Sequence, residues 1–165
     1  MHGLSSRKFI RILHLHKNIM GKHRLTEEEW RIHDQMQKRL QAFPLYGAHQ
    51  RIVPHVCAED IIVSYPCASA PLMDKTQFSI QTNRREPAVW NITTFSIAPM
   101  YWRDERLSQE QRPRYGTLLC RCIEDFCRNE GGRYLRTTPS GQGLEFFPTL
   151  GFRRINAREF EKNLT

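Results

Sequence analysis

Between Trp90 and Phe95 the chain reads WNITTF. Asn91, Thr93 and Thr94 put an amide and two hydroxyls into an apolar run closed by Pro99, where a central strand would ordinarily carry aliphatic or aromatic groups. Polar groups are costly to bury without partners. The stretch from Glu86 to Pro99 is therefore expected to be a strand that borders a reaction cleft. An Asn side chain can orient an amine through hydrogen bonds but is no practical base.

Other reactive side chains point less clearly to chemistry. Cysteines stand at Cys57, Cys67, Cys120, Cys122 and Cys127, an odd number whose spacings match neither a zinc ribbon nor a CxxC redox pair. Free buried thiols in a reducing compartment are expected. His14 and His16 could share one face of a strand, but no Cys or acidic residue lies close enough in sequence to complete a metal site, so no metal is expected. His33 and Asp34 fall within an amphipathic segment and are read as structural.

The net charge of +8 creates a field that favours an acidic partner. Nucleic acid, an anionic membrane, a phosphorylated cofactor and an acidic carrier protein all qualify on charge alone. The sequence has no aromatic-basic RNA motif and no recognition-helix pattern, so nucleic acid is not expected. Nor does any apolar run reach the roughly 18 to 20 residues that span a bilayer. A cytoplasmic protein without a membrane segment is the expectation.

The elements that must hold these residues can be read along the chain. At 165 residues and 39% hydrophobic, residues 1–165 are expected to form one domain able to bury its own core. Thr26 and Glu29 form a capping box, followed by Ile32, Met36, Leu40 and Phe43 at helical spacing and by Pro44 as a stop. The run HVCAEDIIVSY suits a turn and the second strand of a hairpin. Residues 101–116 are polar and are expected to form an exposed connection. Leu118, Leu119, Cys122, Ile123 and Phe126 then mark a helical face, ended by Gly131 and Gly132. A short strand RYLRTT, a helix from GLEFF and a final strand from GFRRI follow. The predicted class is α/β, a mixed central sheet with flanking helices in three layers.

The segment GLEFFPTLGFRRI resembles the last characteristic segment of the GNAT N-acetyltransferases, in which a small residue precedes an aromatic pair and then Leu-Gly-Phe. Gly143, Phe146, Phe147, Leu150, Gly151 and Phe152 hold those places. Within that superfamily, APLMDKTQF followed by AVWNITTFSI is similar to the acyl-homoserine-lactone synthases, which make quorum-sensing autoinducers from an acyl-carrier-protein thioester and S-adenosylmethionine. Asn91 takes the place of that family's acidic residue and Thr94 that of its Arg, and the Arg expected before the Pro-rich turn is replaced in IIVSYP by apolar or hydroxyl residues.

The resemblance implies a GNAT-like fold in which the strands at 89–97 and 133–138 are parallel neighbours, splayed at one end to admit a thioester of coenzyme A or of acyl carrier protein. It places Asn91 and Thr94 in the catalytic positions. It implies donor contacts from Trp90, Phe95, Ile97, Thr137, Phe146 and Phe147, and anion binding by Arg112, Arg114 and Gly116 where a helix opens. An acidic carrier would dock on Arg153 and Arg154. The acceptor would be a small-molecule amine. Phe147 stands where many acetyltransferases have a Tyr that protonates the leaving thiolate, a departure shared with the autoinducer synthases. Two alternatives stay open: a coenzyme A-dependent N-acetyltransferase of a small-molecule or protein amine, and a non-catalytic binding or regulatory relative.

Overall fold

The computed structural model describes residues 24–40, 52–65, 77–97 and 114–165. Helix α1 (Glu27–Leu40) begins at the expected capping box: the Thr26 N–H donates to Glu29 Oε2 at 2.8 Å and the Glu29 N–H to Thr26 Oγ1 at 3.2 Å. Glu29 also accepts the Val56 N–H through Oε1 at 3.0 Å, so the same carboxylate that starts the helix fixes it to the sheet. Ile32, Met36 and Leu40 are buried, as their spacing requires. Phe43 and Pro44 lie outside the described residues.

Four antiparallel strands follow: β1 (Val53–Val56), β2 (Asp60–Tyr65), β3 (Gln77–Asn83) and β4 (Val89–Ser96). Helix α2 (Arg114–Asn129) then leads to β5 (Tyr134–Thr137), which lies parallel to β4. The short helix α3 (Gly143–Thr149), β6 (Arg153–Arg154) and β7 (Phe160–Asn163) complete a mixed seven-stranded sheet of order β1-β2-β3-β4-β5-β7-β6. A mixed sheet with flanking helices is the class expected from sequence.

One sheet face carries the core. Cross-strand partners share a face, so the pairings Val63↔Ile80, Thr82↔Trp90 and Trp90↔Leu135 put these buried side chains in one layer. Helix α2 covers that layer, with Phe126 edge-on to Trp90 at 5.5 Å between ring centroids. Leu119, Cys122, Ile123 and Phe126 are buried on its inner face, and Leu118 is half-buried. Gly131, with φ of 86°, ends the helix in the left-handed region. Gly132 must also be glycine, because a Cβ there would lie 2.7 Å from both the Cys127 carbonyl oxygen and Trp90 Cδ1.

Helices α1 and α2 are joined by a bidentate pair from Arg31 to Glu130, both contacts at 2.8 Å. Lys162 on β7 reaches both oxygens of the buried Glu124 on α2 at 2.8 Å. The C-terminus differs from expectation, because GFRRI gives only the two-residue β6 and the chain then reverses into β7. Asn156 makes the reversal: its Oδ1 accepts the N–H groups of Arg158 and Glu159, each at 2.9 Å. Strand β7 enters between β5 and β6.

Candidate active site

The parallel ladder of β4 and β5 runs from Val89↔Tyr134 to Ile92↔Thr137 and ends there. Strand β4 continues to Ser96 while the chain after β5 turns away through Thr138, Pro139 and Ser140. A cavity of about 760 Å³ occupies the gap. The two strands are thus neighbours, parallel, and apart at one end.

A β-bulge shapes the β4 wall. Ile92 pairs with Ile80 and Thr94 with Ser79, leaving Thr93 as the extra residue. The bulge resolves the odd spacing of ITTF. Without it, Ile92 and Phe95 would point to opposite faces; with it, Phe95 pairs with the buried Phe78 and stays on the core side. Thr93 Oγ1 donates to the Ser79 carbonyl at 3.2 Å and fastens the bulge to β3. Beyond Ile92 the β4 backbone groups that face β5 have no ladder partner among the described residues.

One part of the cavity is aromatic. Phe95 stacks on Phe146 with centroids 5.7 Å apart and meets Phe147 edge-on at 5.6 Å. Phe147 in turn packs against Phe152 at 5.1 Å, which anchors α3 to the core. Gly116, in the first turn of α2, lies against this group: a Cβ there would be 3.0 Å from Phe146 Cζ. Gly143 is similarly confined, a Cβ falling 3.0 Å from Pro139 Cβ. The first-turn N–H groups of a helix have no intrahelical acceptors and favour an anion; the α2 N-terminus, through Gly116, is part of this wall.

Thr94, Phe95, Ile97, Gly116, Thr137, Phe146 and Phe147 all line the cavity. Trp90 and Asn91 do not. Trp90 is 1% exposed beneath α2, a core position, so the donor contact expected of it is not available from where its ring lies. Asn91, half-buried, is paired with Gln81 and Arg136 on the sheet face opposite Trp90. The catalytic position expected for it lies outside the cavity wall. Arg136 on that face is held by Glu161 at 2.6 Å. Arg153 and Arg154 are exposed on β6, with the Arg154 guanidinium 5.4 Å from the Phe160 ring centroid. Arg112 and the Arg114 side chain lie outside the described residues, as do His14, His16 and Cys67.

Sequence reasoning missed Thr138, Ser140, Gln142 and Glu145, which also line the cavity. The signal was the polar run Thr138 to Gln142 after β5, which turns at Gly141 with φ of 54°. Glu145 is the single ionisable side chain of the described lining. The buried thiols take no part: burial, with the neighbouring Glu124 carboxylate, raises Cys120 well above the usual thiol range, burial does the same to Cys127, and burial beside Asp125 pushes Cys122 up to about 11. No group of three His, Cys, Asp or Glu among the described residues is placed to hold a metal. No helix among them is long and apolar enough to cross a membrane.

No protein-family model matches the chain, and no curated protein matches it. Among solved structures the chain is similar to a protein assigned to the GNAT acetyltransferase family from Desulfovibrio desulfuricans, at 11% identity and a TM-score of 0.46, over 87% of this chain and 98% of that one. Tetrahymena GCN5 is similar at 12% identity and a TM-score of 0.44, over 88% and 91%. The aminoglycoside 6'-N-acetyltransferase from Enterococcus faecium is similar at 11% identity and a TM-score of 0.36, over 87% and 96%.

Proposed function

We propose that the cavity between β4 and β5 is the donor cleft of an N-acyltransferase of the GNAT kind, taking an acyl thioester of coenzyme A and an amine acceptor. The observation that carries this reading is the end of the parallel ladder at Ile92↔Thr137, with a bulge at Thr93 and a 760 Å³ cavity beyond it. An extended arm bearing amides can pair with the strand backbone that β5 leaves free, since unpaired backbone N–H and C=O groups demand partners. The α2 N-terminus at Gly116 suits the anionic part of such a donor.

In the reaction the neutral amine nitrogen attacks the thioester carbonyl carbon and forms the C–N bond. Negative charge gathers on the carbonyl oxygen, where backbone N–H groups at the bulge are the available donors. The C–S bond then breaks and the sulfur leaves with the electron pair. The proton lost by the amine ends on that sulfur, giving an amide and a free thiol. No phenol stands at Phe147 to deliver it.

The acyl-homoserine-lactone synthase reading is the finer alternative. In its favour is the absence of a phenol at Phe147, as in those enzymes; against it is the neutral Asn91 in place of a carboxylate. It would require acyl carrier protein docking at Arg153 and Arg154 and S-adenosylmethionine as acceptor. Titration of the protein with coenzyme A, with acyl carrier protein and with S-adenosylmethionine separates the two. Binding of coenzyme A alone supports the reading proposed; binding of the last two without coenzyme A supports the synthase. A non-catalytic relative would bind thioester without releasing thiol to any amine.

A further inference from the structure

We infer that Lys162 is a positioning residue: its ion pair with Glu124 joins two walls of the cavity, α2 and α3, and so sets the site that receives the donor. The inference rests on the acyltransferase reading of the cavity and adds to it a residue outside the cavity lining. Lys162 stands on β7 opposite the buried Leu135, which directs its side chain to the core face beneath α2. There its Nζ meets both oxygens of the buried Glu124 at 2.8 Å.

A closed circuit of contacts runs from this pair to the cavity and back. Residues four apart on a helix are neighbours, and Glu124, Cys120 and Gly116 lie at that interval along α2. The Cys120 thiol donates to Glu124 Oε1 at 3.6 Å, and Gly116 belongs to the cavity wall. In the other direction, Lys162 Nζ sits 5.9 Å from the centre of the Phe152 ring, within reach of a cation–π contact. Phe152 packs on Phe147 and Phe147 on Phe146, with centroids 5.1 and 5.2 Å apart. Phe146 closes the circuit against Gly116, where a Cβ would come within 3.0 Å of the ring.

Stability alone gives no reason for an ion pair at this place. Burying two charges costs desolvation that their attraction only partly returns, and apolar side chains of similar volume often stabilise a fold as well or better. What the pair adds is direction: a carboxylate held through both oxygens accepts an ammonium over a narrow range of distances and angles, whereas apolar contact is non-directional. The separation of α2 from the aromatic group that anchors α3 is thereby fixed, and with it the approach of Phe146 to Gly116. The helix N-terminus that suits the anionic part of the donor is held at one setting relative to the aromatic wall.

The experiment uses the full chain and the paired substitution Glu124→Leu with Lys162→Met, which removes both charges together and leaves neither unpaired. The swap should melt within a few degrees of the wild type or above it. Its affinity for coenzyme A by calorimetry should nonetheless fall about fivefold or more. In the ligand-free protein, the nuclear Overhauser contact between the Gly116 α-protons and the Phe146 ring should weaken. Lys162→Arg, which can still engage both oxygens of Glu124, should keep that contact and bind within about threefold of the wild type. A role in stability alone predicts a lower melting temperature with affinity and contact unchanged. Retention of either the contact or the wild-type affinity in the swap overturns the inference and leaves the acyltransferase reading standing. Failure of the wild type to bind coenzyme A overturns that reading, and the contact alone then decides whether the pair joins the two walls.

Discussion

Ile92 and Thr137 form the last rung between β4 and β5, and the cavity opens immediately beyond them. Both side chains are buried on the core face, so the point of divergence is fixed from below by the packed layer under α2. The cleft thus begins where two packed strands part.

The Thr93 bulge can be removed without disturbing its neighbours. Deleting Thr93 leaves Ile92 opposite Ile80, Thr94 opposite Ser79 and Phe95 opposite Phe78, the pairings already present. The deletion should therefore fold with a melting temperature within a few degrees of the wild type, while its affinity for coenzyme A or its rate of thiol release falls tenfold or more. Circular dichroism and calorimetry on the same sample check both halves.

Gly116 governs the space beside Phe146. Gly116→Val should force the Phe146 ring into the cavity, at about 1 to 3 kcal/mol of stability typical of overpacking, and should weaken donor binding. Adding Phe146→Leu to that variant should recover part of the binding. Denaturant titration and calorimetry of the single and double variants test the coupling.

Glu29 makes stability depend on pH in the acid range. Burial acts to raise its pKa, but the N–H groups of Thr26 and Val56 and the Thr26 hydroxyl outweigh it and the net shift is downward. Its contribution is then fully present above the ordinary carboxylate range and is lost as pH falls through the lowered folded value. Glu29→Gln should cost about 1 to 2 kcal/mol near neutral pH, as for loss of a helix cap, and should flatten the acid limb of the stability profile. Urea titrations at several pH values measure both.

Cysteine reactivity should follow burial. Cys57 is exposed, whereas Cys120, Cys122 and Cys127 are buried with raised pKa values. The thiolate is the reactive form, so iodoacetamide at neutral pH should label Cys57 in the folded protein and leave these three unmodified until denaturant is added. Mass spectrometry of tryptic peptides reads the result.

Much of this arrangement was legible in the sequence because local chemistry and tertiary packing agree. The Thr26 and Glu29 capping box, the α2 face and the Gly131 stop each follow from one turn of helix. The parallel pairing of β4 and β5 followed from the GNAT-like segment. The bulge was present as the three-residue interval between Ile92 and Phe95, a spacing that no regular strand can place on one face. It went unread because either residue alone looks like ordinary core. That Trp90 and Asn91 lie outside the cavity lining was not legible for a related reason: sequence position along a strand does not say where the neighbouring strand ends. Glu145 escaped notice because β4, which lines the same cavity, is distant from it in the chain.

The most direct test of the central claim is a coenzyme A titration followed residue by residue by backbone amide NMR, paired with calorimetry. The account predicts saturable one-to-one binding, with the largest shifts at Thr93 to Ile97, Gly116, Thr137, Thr138 and Ser140, and little change in β1 and β2. Absence of binding, or shifts centred elsewhere in the sheet, would contradict it.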